Sequence, residues 1–69
     1  MKFSNQPSVI FKDKEILLLE DDLLLGKRIA AFLEKSGAEI THCQSLEEAR
    51  RVLTDLSFDA ALLDLNLPD

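Results

Sequence analysis

The residues best equipped for chemistry are acids, and they fall in two places. Glu20-Asp21-Asp22 follows the apolar run Ile16-Leu17-Leu18-Leu19, and Asp64 follows the apolar run Ala60-Ala61-Leu62-Leu63. If the two runs are neighbouring strands, their carboxylates converge at one edge of a sheet. Like charges brought that close raise each other's pKa values unless a cation joins them. A hard divalent ion suits an all-oxygen donor set, and Mg2+ suits one with few carboxylates and several waters. A carboxylate held beside such an ion can also act as a nucleophile toward a phosphoryl group. Each acid has a plainer reading alone. Asp21 or Asp22 sits where a helix N-cap belongs, and Asp64 can be a strand-end turn residue with Pro68 following. The pairing, at the ends of two apolar strands, is what points to a site.

The remaining reactive side chains offer less. One cysteine (Cys43) and one histidine (His42) exclude an intrachain disulfide and a zinc site of ordinary ligand count. His42 reads as a surface residue and Cys43 as a buried or semi-buried thiol. Lys27, Arg28, Lys35, Arg50 and Arg51 read as solvated helix faces. Asp64-x-Asn66 opens like a calcium loop, but Pro68 and the chain end break it.

The elements that must position the acids alternate in type. Glu15 to Leu19 predicts a strand, because four consecutive apolar residues without polar alternation suit a strand covered on both faces. Leu23 to Ser36 predicts a helix with Leu25, Ile29, Phe32 and Leu33 as its apolar stripe. Gly37 is placed for a left-handed helix end. Ala38 to Cys43 predicts a more polar strand, fit for a sheet edge. Ser45-Leu46-Glu47-Glu48 is a capping box. It opens a helix with Leu46, Ala49, Val52, Leu53 and Leu56 at helical spacing and a Glu47–Arg51 pair on its wet side. Phe58 to Leu63 predicts the third strand. Strand, helix, strand, helix, strand implies a parallel sheet with right-handed crossovers. Open sheets of this kind bind ligands at the C-terminal ends of their strands, where both acidic sites lie. Residues 1–14 read as an extension, partly disordered, with Val9-Ile10-Phe11 as a short apolar cluster.

Size and charge narrow the function. Sixty-nine residues make one small domain, and a domain near this size buries only about 60% of the surface its unfolded chain exposes. The apolar fraction of 46% is that of a globular chain rather than a disordered one. Eight basic residues against thirteen acidic ones give a net charge of −5, which argues against nucleic acid or an anionic membrane as a partner of this segment. No apolar run is long enough to span a membrane and no signal-peptide pattern opens the chain, so a cytoplasmic location is expected.

Two stretches carry a family resemblance. Ile16-Leu17-Leu18-Leu19-Glu20-Asp21-Asp22 followed by a helix, and Phe58-Asp59-Ala60-Ala61-Leu62-Leu63-Asp64-Leu65-Asn66-Leu67-Pro68-Asp69, resemble the receiver domain of two-component response regulators. The likeness runs from residue 15 to residue 69. It implies a truncated flavodoxin-like (CheY-like) βαβαβ fold, with a three-stranded parallel sheet in the order 2-1-3 and helices on both faces. It also implies that Asp64 accepts a phosphoryl group from a sensor histidine kinase or phosphotransfer protein. Glu20, Asp21, Asp64 and the backbone carbonyl of Asn66 match the Mg2+ shell, and Pro68 matches a proline that shapes the loop after the acceptor.

About half of a receiver's elements can be drawn here. The hydroxyl residue and the lysine that follow the later strands of a receiver have no counterpart by position. The resemblance therefore implies the first half of a receiver, incompetent for signalling alone, with metal binding weak or lost. It also implies a third strand left as an open edge, which invites pairing with a second copy of the chain. The parent reads as a transcription regulator. Two other functions compete. One is a self-associating structural module without phosphoryl chemistry. The other is an aspartyl-nucleophile phosphatase of the haloacid-dehalogenase type, which wants a second Asp where Asn66 stands.

Overall fold

The computed structural model describes residues 10–64. The elements are β1 (Glu15–Glu20), α1 (Leu23–Glu34), β2 (Glu39–Cys43), α2 (Leu46–Asp55) and β3 (Ala60–Asp64). The three strands form one parallel sheet in the order β2-β1-β3. Fold class, element order and strand order agree with the sequence reading. Asn66, Pro68 and residues 1–9 of the extension lie outside the described residues.

β1 is the centre of the molecule. Ile16, Leu17, Leu18 and Leu19 are all buried, with Leu18 at 0% exposure. Alternate residues of a strand point to opposite faces, and each face has its own cover. Leu17 and Leu19 cluster with Cys43 of β2 and Ala49 of α2, with Val52 and Phe58 packed against them. On the opposite face His42 of β2 meets Gly26 of α1. Burying one such leucine is worth about 1.5–3 kcal/mol, so this single strand supplies much of the stabilisation available to so short a chain.

α1 seats itself differently from its hydrophobic pattern. Its one buried residue is Gly26. Ile29, Ala30 and Leu33 are half-buried beside it, whereas Leu25 and Phe32 of the expected stripe are exposed, Phe32 at 70%. The cause is steric. A Cβ at residue 26 would fall inside the His42 ring, so the absent side chain lets the helix approach β2 along that line. In α2 Ala49 is buried and Val52 half-buried, while Leu46, Leu53 and Leu56 stay exposed.

Local signals set the element ends. Ser45 Oγ accepts from Glu48 N–H at 3.1 Å, the expected cap. Glu48 Oε1 reaches one residue further back than a capping box requires, accepting from Gln44 N–H at 2.9 Å. Gly37 takes φ 93°, where a side chain would strike the Lys12 backbone. The turn at residues 10–13 is pinned there: Phe11 N–H donates to the Ser36 carbonyl and Asp13 N–H to the Gly37 carbonyl, both at 3.0 Å. At the N-terminal end of the sheet, Glu15 N–H donates to Asp59 Oδ2 and Asp59 N–H to the Glu15 carbonyl, each at 2.8 Å. That exchange fixes the register of β3 on β1.

Among the described residues β3 is covered on neither face. All five of its residues are exposed, Leu63 at 60%, and neither helix packs over it. It is the open edge the sequence implies.

Candidate functional site

The parallel register brings the two acidic sites together. Glu20, the last residue of β1, is the Cα partner of Asp64, the last residue of β3. Neighbouring strands lie about 4.8 Å apart, so these two carboxyls share the C-terminal edge of the sheet. Asp21 and Asp22 follow in the loop to α1, both exposed.

The four acids play different parts. Asp22 is the N-cap of α1, its Oδ1 accepting from Leu25 N–H at 2.9 Å. Asp22 N–H in turn donates to Glu20 Oε2 at 2.9 Å. Glu20 is buried, at 2% exposure, and its Oε1 is buried without a hydrogen-bond partner among the described residues. The Asp22 N–H by itself favours the charged form of Glu20. The Asp64 carboxyl, burial and the Asp21 carboxyl together outweigh it, so the Glu20 pKa is raised. Ionised carboxylates offer one another only acceptors. What relieves such a cluster is a proton or a cation.

A hard cation suits the donor set in kind. Every side chain offered is a carboxylate, and Glu20 Oε1 is an orphaned buried acceptor. The set is incomplete in number: among the described residues no three His, Cys, Asp or Glu side chains gather closely enough to hold a metal ion. Of the expected shell, Glu20 and Asp64 are strand neighbours, Asp21 stands beside them in the loop, and Asn66 lies outside the described residues.

Two residues, His42 in β2 and Gln44 just after it, hold this loop, and sequence reasoning did not single them out for it. His42 Nε2 donates to the Glu20 carbonyl at 2.8 Å. Gln44 Nε2 donates to the Asp21 carbonyl at 3.3 Å. His42 is therefore not the surface residue its polar strand suggests; it is half-buried, with its ring against Gly26. The available signal was the pair itself, a polar residue on either side of buried Cys43 where the strand that neighbours β1 ends. Cys43 is buried as expected, and burial followed by the Glu48 charge pushes its thiol pKa up, which keeps it unreactive.

No family model matches the sequence, and no solved structure matches it significantly. Curated relatives do match. The chain is 44% identical over 54 residues to the "Swarming motility regulation protein RssB" of Serratia marcescens, a stretch that is 78% of this chain and 25% of that protein. It is 38% identical over 53 residues to the "Transcriptional regulatory protein QseB" of Escherichia coli O157:H7, which is 77% of this chain and 24% of the relative. It is 39% identical over 56 residues to the "Transcriptional regulatory protein CrdR" of Helicobacter pylori, which is 81% of this chain and 26% of the relative. The chain thus spans about a quarter of the length of these relatives. Their sequences and the parallel sheet in the order β2-β1-β3 agree: the chain belongs to the response regulators, as the N-terminal part of a receiver domain.

Proposed function

We propose that Asp64 is the phosphoryl acceptor of a two-component response regulator, served by a sensor histidine kinase or phosphotransfer protein. The observation that carries this reading is the register that sets Asp64 beside buried Glu20, whose Oε1 lacks a partner among the described residues. An Asp64 carboxylate oxygen attacks phosphorus, and an acyl phosphate bond forms. The bond from phosphorus to the donor imidazole nitrogen breaks, and its electron pair stays on that nitrogen, which takes up a proton. Glu20, Asp21, Asp64 and the Asn66 backbone carbonyl would hold Mg2+, which needs few protein ligands because it keeps several waters. When bound, Mg2+ neutralises charge on the transferring group. The protein is then a phosphoacceptor in the cytoplasm rather than an enzyme with turnover of its own. Among the described residues no helix is long and apolar enough to cross a membrane.

The hydroxyl and lysine of an intact receiver have no counterparts by position in these 69 residues. The segment alone is therefore proposed to be incompetent for signalling, its metal binding weak. Control of transcription, the role in the names of two of the relatives, would belong to other parts of a longer protein. The test is incubation with Mg2+ and a small acyl phosphate, read by intact mass. Gain of one phosphoryl group, abolished in Asp64→Ala, supports the acceptor role. No gain under conditions that label an intact receiver overturns it for this chain.

One observation favours a second reading. Among the described residues β3 presents a free edge and exposed Leu62 and Leu63, with Leu23 and Leu24 exposed on α1. A second copy of the chain is proposed to pair there, giving a two-fold dimer. Size-exclusion chromatography with light scattering tests it, and a folded monomer at micromolar concentration overturns it. If a longer chain carrying the same residues is monomeric while the 69-residue chain dimerises, the edge is normally covered within the same molecule.

A further inference from the structure

We propose that His42, seconded by Gln44, is a positioning residue for the acidic loop: it sets the direction of the Glu20 and Asp21 carboxyls without touching the phosphoryl group. The inference rests on the site reading above. A strand that ends leaves its last carbonyls without ladder partners, and a buried orphan is costly. At the end of β1 two side chains fill that need, one from the adjacent strand β2 and one from the residue that follows it. His42 Nε2 takes the Glu20 carbonyl at 2.8 Å, and Gln44 Nε2 takes the Asp21 carbonyl at 3.3 Å.

Fixing these carbonyls fixes the peptide planes on either side of Asp21. The Asp22 N–H is then held where it meets Glu20 Oε2 at 2.9 Å. The Glu20 carboxyl is thereby held by Oε2, and its Oε1 has no hydrogen-bond partner among the described residues. The ring needs room to do this, and Gly26 supplies it. A Cβ at that position would overlap the His42 ring atoms Cε1, Nε2 and Nδ1. Gly26 is also the one buried residue of α1. Histidine and glycine thus form one device, a ring wedged between the first helix and the end of the first strand. Groups that orient metal-binding carboxyls typically change affinity by about 10–100-fold when removed.

The experiment is an NMR comparison of the whole chain with His42→Ala, His42→Gln and Gly26→Ala. Amide hydrogen exchange is read without metal, and chemical shifts are read along an Mg2+ titration. In His42→Ala the Asp22 amide is expected to exchange faster while those of Leu17 and Leu18 stay protected, and Mg2+ affinity to fall about tenfold. Gly26→Ala displaces the ring and should reproduce both effects. His42→Gln keeps a side-chain N–H at similar reach and should restore most of each. The proposal is overturned if a folded His42→Ala keeps wild-type Asp22 exchange and Mg2+ affinity. It is equally overturned if His42→Ala and Gly26→Ala speed exchange at all amides alike, which would mark a merely structural role. Should the wild-type chain bind no Mg2+, the metal reading fails, and the exchange data alone still decide the positioning role.

Discussion

The two flanks of β1 are built in opposite ways. Toward β2 the sheet is covered on both faces, with Leu17, Leu19, Cys43 and Ala49 on one and the His42–Gly26 contact on the other. Toward β3 the pairing is equally regular, from Ile16–Ala60 to Glu20–Asp64, yet every β3 residue is exposed. Backbone pairing alone therefore does not make a buried strand; the helices decide, and both pack on β1 and β2. The site straddles this divide. Glu20 belongs to the covered flank and Asp64 to the open one, so the acid that would be fixed sits on firm ground and the acid that would react sits at the edge.

That contrast breaks most sharply through core truncation. Leu18→Ala removes a side chain with 0% exposure and should cost about 2–5 kcal/mol, a large part of the roughly 3–10 kcal/mol available to a chain of this length. Leu63→Ala, at 60% exposure, should cost well under about 1 kcal/mol. Urea denaturation of both variants checks the pair, and equal losses would mean that β3 is covered in solution. Next in size is the cap of α2 on the covered flank. Ser45→Ala loses the bond to Glu48 N–H and should cost about 1 kcal/mol, read as a lower denaturation midpoint.

Glu20 probes the boundary between the flanks. Its pKa is raised in the folded chain, so the folded state keeps this proton to higher pH than the unfolded state does. Between those two values the folded state binds more protons, and stability falls as pH rises through the window above the ordinary 4.5. Glu20→Gln removes that fall and should leave the chain more stable at neutral pH than wild type, at the expense of any Mg2+ binding. Midpoints measured from acid to neutral pH check the sign, and a parallel profile for the two proteins would contradict it. The smallest effect belongs to Glu47→Ala. Its 3.9 Å pair with Arg51 is exposed on both sides, and its loss should change stability by less than about 0.5 kcal/mol and vanish in high salt.

The legible features were those with a local cause. Ile16 to Leu19 announced a doubly covered strand because a four-residue apolar run has little else to form. Ser45, Asp22 and Gly37 marked helix ends because caps and left-handed turns demand those residue types. Glu20 and Asp64 were legible as a pair once both strands were read as parallel, since parallel strands finish on one edge. The apolar stripe of α1 was misread at Leu25 and Phe32. Hydrophobic spacing registers what side chains want to bury, and it is blind to a glycine that earns its place by having none.

Sequence by itself thus determined the alternation of elements, the caps and the two acidic strand ends, because each depends on neighbours along the chain. Tertiary structure decided the rest. The pairing of Glu20 with Asp64 depends on residues 44 positions apart. The seat of α1 on Gly26 depends on where the His42 ring stands. The exposure of β3 depends on where two helices pack. His42 itself shows the limit best: on its strand it reads as a polar surface residue, and only folding places the Glu20 carbonyl 2.8 Å from its ring. An unpaired carbonyl at a strand end is a demand no single position reveals, and it is answered by whichever side chain the sheet brings beside it.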